Sequence, residues 1–297
     1  MISIILPTYN RAPILKNTIL NILQQSYKDI EIIIIDDSST DNTALVVESF
    51  NNKKINYIKH SEQKGTTQSR LTGIKYSTGD YIAFLDDDDF WNRNKLEIEI
   101  NNINDNVDFT LSNYIIKNSI DSSVKKINLK NYAHKFKSEI TTAPGPFFQC
   151  CLFSKKFINK SLCYFESNYE PSEDWHYFLN ICALNPNIKY INQYLFTWNF
   201  SKTSQSANYK NEWLAIESIV LNNKPIFLKF NNHKNLSLQF RKLGSYMFQL
   251  NYYDKFVYYY KKAFSIWPYS FKNIFYFIFL FSPKKIINFY MKNKYIW

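Results

Sequence analysis

Four consecutive carboxylates, Asp86-Asp87-Asp88-Asp89, follow directly on the apolar run Tyr81-Ile82-Ala83-Phe84-Leu85. Side chains alternate across a strand, so a strand running into this cluster sends Asp86 and Asp88 to one side and Asp87 to the other. Adjacent negative charges repel one another, and an ordered group of this kind needs a positive partner. A hard divalent cation, Mg²⁺ or Mn²⁺, is the usual one; it takes one or two carboxylates and completes its shell with substrate phosphates. A solvated acidic turn is the alternative. A second acidic group, Asp36-Asp37-Ser38-Ser39-Thr40-Asp41, closes another apolar run, and a carboxylate pair, Glu173-Asp174, stands before Trp175.

The elements that must carry these groups alternate in type. Ile2 to Leu6 and Ile30 to Ile35 are continuous apolar runs, the pattern of strands buried on both faces, and Ile14 to Gln25 carries apolar residues at helical spacing. Ser, Thr and Asp after the second run can cap a helix over Thr43 to Phe50. A third strand is expected at Ile55 to Ile58, a helix at Thr66 to Tyr76 and a fourth strand at Tyr81 to Leu85. Strands separated by such helices imply right-handed crossovers and a parallel sheet, in which ligands bind beyond the carboxyl ends of the strands. Two of the acidic groups fall there. From about Asn106 the pattern loosens: Phe109 to Ile116, a polar stretch from Lys117 to Lys137, Phe147 to Phe153, then a helix from Glu173 to about Leu184.

Charge divides the chain. The net charge of +11 sits in one region: Met1 to Gln205 has 22 basic and 22 acidic residues, and Ser206 to Trp297 has 14 and 3. A neutral body with a basic end suggests a tether for something anionic rather than a basic catalytic groove. Cys150, Cys151, Cys163 and Cys182 have neither zinc-ligand nor disulfide-framework spacing and read as reduced, mostly buried residues, as in a cytosolic chain. Ile2 to Leu6 lacks the basic flank of a signal peptide, and the longest apolar stretch, Ile274 to Phe281, is far short of the ~20 residues of a membrane span.

With Pro7-Thr8-Tyr9-Asn10-Arg11, Asp36 to Asp41, Gly65 to Arg70, Gly79-Asp80-Tyr81, Asp86 to Asp89 and Glu173-Asp174-Trp175 in this order, residues 1 to 205 resemble family 2 glycosyltransferases. The resemblance implies the GT-A fold, an α/β Rossmann-like, mostly parallel sheet flanked by helices. Here it is followed by a C-terminal helical region. It implies a nucleotide-binding half over 1–105 and an acceptor half over 106–205, with 206–297 as a basic, aromatic helical region.

The resemblance also implies roles. Pro7, Tyr9, Asp37, Arg70, Asp86 and Asp87 match nucleotide-contacting positions, and Asp88 with Asp86 matches the metal-binding DxD signature. Asp37 would accept from the uracil N3–H, since an ionised carboxylate only accepts, which favours a UDP-sugar; Asp36 reads as structural. Arg70 would contact the nucleotide through a planar, two-pronged guanidinium. Asp174 matches the catalytic base that takes the proton of the acceptor hydroxyl during inverting transfer. Asp89 reads as capping the segment into Phe90-Trp91. Many relatives carry a histidine in the segment matching Phe196 to Ser201; none is present here, and the neighbouring His176 reads as structural beside Trp175.

The activity implied is transfer of a hexose or N-acetylhexosamine from a UDP-sugar to a hydroxyl of a surface glycan, as in O-antigen, capsule or lipid-linked oligosaccharide assembly, with Mn²⁺ or Mg²⁺. The tail interleaves Lys255, Lys261, Lys262, Lys272, Lys284, Lys285, Lys292 and Lys294 with large aromatics. Such a mixture suits an anionic bilayer better than nucleic acid as the partner of a sugar transferase, so the protein is expected to be peripheral at the cytoplasmic face of the cell membrane; a helical bundle whose aromatics fill its own core is the alternative. Oligomerisation stays open. A nucleotidyltransferase is disfavoured because Pro7 to Arg11 contains no glycine to cradle a triphosphate, and a non-catalytic glycan or nucleic-acid binding module leaves the ordered acidic groups unexplained.

Overall fold

The computed structural model describes residues 1–201, 208–230 and 232–292. The chain divides into two compact units, Met1–Phe136 with Gly145–Ala207, and Lys137–Pro144 with Asn208–Trp297. The boundary expected between Gln205 and Ser206 lies outside the described residues, as does Lys294.

The first unit opens with the expected alternation: β1 (Ile2–Thr8), α1 (Ala12–Leu23), β2 (Ile30–Asp36), α2 (Thr43–Glu48), β3 (Ile55–Lys59), α3 (Thr66–Tyr76) and β4 (Tyr81–Phe84). β1 to β4 pair in parallel, in the order β3-β2-β1-β4. Ile4, Ile5, Leu6, Ile32, Ile33, Ile34 and Ile35 are fully buried, which is why these strands read as unbroken apolar runs.

The rest of the unit consists of β5 (Phe90–Trp91), α4 (Lys95–Ile100), β6 (Phe109–Asn118), β7 (Val124–Ile127), α5 (Lys130–His134), the first residue of α6 (Phe136–Ile140), β8 (Leu152–Ser154), α7 (Lys155–Ser161), α8 (Glu173–Ile181) and β9 (Ile188–Phe200). The sheet continues β4-β8-β6-β9-β5, with β8 antiparallel to both neighbours and β7 paired to β6. The stretch from Lys117 to Lys137, read as irregular from its polarity, contains the β6–β7 hairpin, turned at Ser122 with φ 58°, and α5. Its side chains are largely exposed, so no apolar alternation marked it. Three of the four cysteines are buried and all are free.

The second unit is helical: α9 (Tyr209–Asn222), α10 (Lys224–Lys229), α11 (His233–Gln249), α12 (Tyr253–Ile266), α13 (Phe271–Phe279) and α14 (Lys284–Lys292). Leu236, Phe240, Leu243 and Met247 form the buried stripe of α11, and its Gly244 admits the Tyr260 ring of α12, where a Cβ would stand 2.7 Å from a ring carbon. Residues 137–144, expected with the first region, pack here. Asn232 and Asn235 donate to Thr141 Oγ1 at 3.1 and 2.9 Å, Gln239 donates to the Thr141 carbonyl at 2.8 Å and Lys242 to that of Thr142 at 3.0 Å. The polar face of α11 thus satisfies the end of α6, an arrangement that depends on side chains about 90 to 100 residues apart. Among the described residues no helix is long and apolar enough to cross a membrane.

Candidate active site

Parallel pairing puts the carboxyl ends of β1, β2 and β4 side by side, so their following loops meet. The loop after β1 is laced to the loop after β2. Asn10, at φ 51°, donates its backbone N–H to Ser39 Oγ at 2.9 Å and accepts from the Thr40 N–H at 2.8 Å. Asp41 in turn accepts the Ala12 N–H at 3.0 Å, holding the start of α1. Tyr9 is left 39% exposed on this rim, and Pro7 is half-buried.

The two carboxylates after β2 divide their work. Asp36 is fully buried; it accepts the Ser39 N–H at 2.6 Å and the Tyr57 hydroxyl, a structural role as expected. Asp37 accepts the N–H groups of Lys64 and Gly65, each at 2.8 Å, and lies 2.8 Å from His60 Nδ1. Gly65, at φ +88°, takes a backbone conformation that a side chain would strain, and Glu170 stands 3.0 Å from where its Cβ would be. Two hydrogen bonds fall on Asp37 Oδ1 and one on Oδ2, leaving one lone-pair direction of Oδ2 for a further donor.

The acidic run after β4 does not follow strand alternation. β4 ends at Phe84 and Asp86–Asp89 form a turn, closed by the Asp89 N–H on the Asp86 carbonyl at 3.2 Å. Asp86 turns to Arg70, 3.0 Å away, and to Gln149; Asp87 and Asp88 both turn to Arg11. Arg11 lies 3.0 Å from Asp87, which also accepts the Thr8 hydroxyl at 2.7 Å, and donates a shorter bond to Asp88. Asp89 accepts the Asn199 N–H of β9 at 2.9 Å, so it ties two parts of the sheet together rather than capping the next segment. Burial pushes the Asp87 carboxyl up to about 7, with Arg11 and Thr8 pulling it back, and raises Asp88 against the same arginine. The positive partner that the run requires is therefore present in the chain itself, as two arginines.

Arg70 is the hub of the second half of the site. It is 2% exposed, and its guanidinium bridges Asp86 at 3.0 Å, Glu173 at 2.7 Å and Asp174 at 3.3 Å, lying 5.0 Å over the Phe148 ring. Phe148 belongs to an aromatic core with Phe84, Phe153, Phe165, Tyr177 and Phe178. This core fixes the plane on which the guanidinium rests and excludes water below it. Expected at the nucleotide, Arg70 has both Nη atoms on carboxylates. Asp174 also accepts the Phe148 N–H at 2.9 Å. Burial raises the Asp174 carboxyl, Arg70 opposes this, and Glu173 and Asp86 push it further up, which makes it a stronger base than a solvated aspartate.

The structure brings the expected Asp86, Asp87 and Asp88 to one turn and sets Asp174 on the same Arg70 as Asp86, and it adds two partners that had no expected role. Arg11 stood in the first motif without a role, and Gln149 in a segment read only by pattern. The signal for Arg11 was the neighbouring of β1 and β4 in a parallel sheet, which places the first loop's cation beside an uncompensated acidic turn. His176 proved structural: it stacks on Tyr169 with ring centroids 3.9 Å apart, and burial lowers it to about 4.

Among the described residues no three His, Cys, Asp or Glu side chains are grouped to hold a metal. Mg²⁺ or Mn²⁺ needs only one or two protein carboxylates when phosphates complete the shell. Asp88 and Asp86 keep 26% and 34% of their side chains exposed, so their free lone pairs are accessible. Beside Asp88 and Arg11 opens a cavity of about 780 Å³, lined also by Asn10, Lys117, Asn118 and Asn199. Arg70 Nε, Gln149 Oε1 and Glu173 Oε2 are buried without a hydrogen-bond partner.

A parallel half-sheet whose acidic loops converge at its carboxyl edge, continued by antiparallel and mixed strands, is the GT-A architecture. Residues 3–162 match the glycosyl transferase family 2 model, and the chain belongs to that family. It is 38% identical over 120 residues to the UDP-Glc:alpha-D-GlcNAc-diphosphoundecaprenol beta-1,3-glucosyltransferase WfgD of Escherichia coli, covering 40% of this chain and 47% of that one. To the Escherichia coli UDP-Glc:alpha-D-GlcNAc-diphosphoundecaprenol beta-1,3-glucosyltransferase WfaP it is 40% identical over 118 residues, covering 39% of this chain and 47% of that one. The matched part thus spans about half the length of these curated relatives. In fold it is similar to S. aureus TarS 1-349, solved with UDP-GlcNAc, at TM-score 0.67 and 17% identity over 89% of this chain and 81% of that one. A second solved likeness is the mannosyltransferase PcManGT from Pyrobaculum calidifontis, with GDP-Man and Mn2+, at TM-score 0.58 and 16% identity over 80% and 72%.

Proposed function

We propose that the protein is an inverting, divalent-metal-dependent glycosyltransferase that moves a hexose or N-acetylhexosamine from a UDP-sugar to a hydroxyl of a lipid-linked surface-glycan acceptor. The observation that carries this reading is the bridge Asp86–Arg70–Asp174, which ties the DxD turn to the base through one buried guanidinium. Activation of the acceptor and departure of the nucleotide need groups on opposite sides of the anomeric carbon, and Arg70 sets the spacing of the two.

In this reading Asp37, with its spare Oδ2 lone pair, accepts from uracil N3–H, and Tyr9 lies against the base. Pro7 and Asp87 shape the nucleotide side of the turn, while Asp86 meets the ribose or the cation. Asp174 takes the acceptor hydroxyl proton as that oxygen bonds to the anomeric carbon and the bond to the diphosphate breaks, its electron pair leaving with UDP. Asp88 and Asp86 would hold the Mn²⁺ or Mg²⁺ ion, whose chemistry is Lewis-acid stabilisation of the diphosphate charge. Arg11, released from Asp88, offers a planar cation to the same phosphates.

In this reading the first unit, Met1–Phe136 with Gly145–Ala207, carries catalysis, and the helical second unit serves the bilayer side of a peripheral, cytoplasmic-face enzyme. The UDP-Glc of WfgD and the UDP-GlcNAc of the TarS complex support a UDP-sugar. Incubating the protein with a panel of UDP-sugars and Mn²⁺ and measuring donor hydrolysis tests the proposal. Turnover of one or more UDP-sugars, lost with chelator, supports it; hydrolysis of none, with UDP, GDP and CDP bound equally, overturns it.

A further inference from the structure

The second unit carries a helix turned the wrong way round for a water-soluble surface. On α13 the inward side includes Asn273, Tyr276 and Phe279, and the outward side is Phe271, Ile274, Phe275 and Ile278, continued by Phe281. Phe271 is 81% exposed, Ile278 62% and Phe281 74%. Positions i, i+3, i+4 and i+7 form one stripe of a helix, and a stripe of this kind normally faces a core. On the buried side Asn273 donates its amide to Ser237 Oγ at 2.7 Å and to the Trp267 carbonyl at 2.7 Å, beside the buried Tyr276 and Phe279. These polar bonds and this packing fix the helix with its second apolar stripe outward.

The charges nearest in sequence point to what covers it. Lys272 on α13 and Lys284 and Lys285 at the start of α14 are exposed, Lys284 lying 5.2 Å over the Tyr253 ring, and Tyr269 is 83% exposed before the helix. From Lys255 to Trp297 the sequence has eight lysines and no acidic residue. A second copy meeting this face about a two-fold axis would set lysines against the same lysines, since an isologous contact pairs a patch with itself. Nucleic acid would be met by the lysines but offers little to Ile278 and Phe281. An anionic bilayer satisfies both parts at once, taking apolar side chains at the acyl boundary and lysines among the headgroup phosphates.

We infer that the outward stripe of α13 and Phe281, aided by the lysines that follow and flank it in sequence, is the surface that inserts into an anionic membrane. This deepens the membrane side of the proposed function, and it stands on the second unit alone.

The test is co-sedimentation of the full chain with vesicles of phosphatidylcholine alone or with added phosphatidylglycerol. Wild type binds the anionic vesicles and is released by salt. The triple variant Phe271→Ser, Ile278→Ser, Phe281→Ser binds at least about tenfold more weakly, since each lost ring or branched chain removes apolar insertion. The pair Lys284→Glu, Lys285→Glu removes the preference for anionic lipid, and Leu45→Ser, at a 64% exposed apolar residue of the first unit, changes nothing. Circular dichroism and UDP-sugar hydrolysis without vesicles confirm that each variant is folded and separate this inference from the catalytic one. A protein that hydrolyses a UDP-sugar yet ignores anionic vesicles, or a triple variant that sediments like wild type, overturns the inference. So does a wild type that is dimeric by light scattering and becomes monomeric in the triple variant.

Discussion

Two acidic groups end neighbouring parts of one sheet, and they are neutralised in opposite ways. After β2, Asp36 and Asp37 are met by neutral backbone N–H groups, a tyrosine hydroxyl and the His60 ring. After β4, Asp86, Asp87 and Asp88 are met by the full charges of Arg11 and Arg70. Neutral donors hold a carboxylate in one geometry without demanding a change when a ligand arrives. Ion pairs at a partly exposed turn can be exchanged for other ion pairs. On the proposed function, the first group would read the base in a preformed geometry and the second would act as a charge relay that rearranges when a diphosphate and cation load, with the buried Arg70 as its fixed point.

The largest effect is expected furthest along that relay. Asp174→Asn keeps the shape of the side chain and cannot take a proton, so transfer falls by about 10² to 10⁴ while UDP binding is kept. Single-turnover rates and calorimetry check this; a variant within a few-fold of wild type would move the base elsewhere, with Glu173 the next to replace.

Stability separates the two groups next. Arg70→Met leaves three carboxylates around an apolar side chain and costs about 3–5 kcal/mol, the usual cost of breaking a buried ion pair from one side. Asp37→Asn sets an amide against the donors that Asp37 now accepts from, at about 1–3 kcal/mol. Urea denaturation compares them directly, and equal costs would end the distinction drawn between the groups.

Arg11→Gln sharpens the comparison at the metal side. With Asp88 no longer held by a guanidinium, Mn²⁺ should bind the donor-free protein about tenfold more tightly, a shift of ~1.4 kcal/mol. Paramagnetic resonance titration reads it without any turnover, and weaker Mn²⁺ binding would mean that Arg11 orders the ligand set instead of competing for it. The smallest effect is in pH. Because the folded Asp174 carboxyl lies above its ordinary value, its protonated, inactive form persists to higher pH than for a solvated aspartate. Transfer should rise with pH through that raised value, with an acid limb well above ~4, and the limb should vanish in Asp174→Asn.

Much of this was readable in advance. The apolar runs and helical spacing located β1 to β4 and their helices to within a few residues, since buried parallel strands leave an unbroken apolar trace. The hairpin after β6 and the long β9 were not, as both mix polar and apolar residues on partly exposed faces. Side-chain directions at Asp86 to Asp89 were misread because alternation holds only while the strand lasts, and β4 stops at Phe84.

By itself the sequence determined which carboxylates stand at the ends of which strands, the alternation that makes the sheet, and the separation of a neutral body from a basic end. These are local quantities, set by residue type and short-range spacing. Only the tertiary structure decided that Arg11 neutralises Asp87 and Asp88, 76 and 77 residues away, and that Arg70 joins Asp86 to Glu173 and Asp174, 103 and 104 residues away. It likewise decided that α13 shows its apolar stripe to the outside. Ion pairs and buried faces depend on which backbone segments the sheet and helices bring within a few ångströms, and no spacing along the chain records that distance.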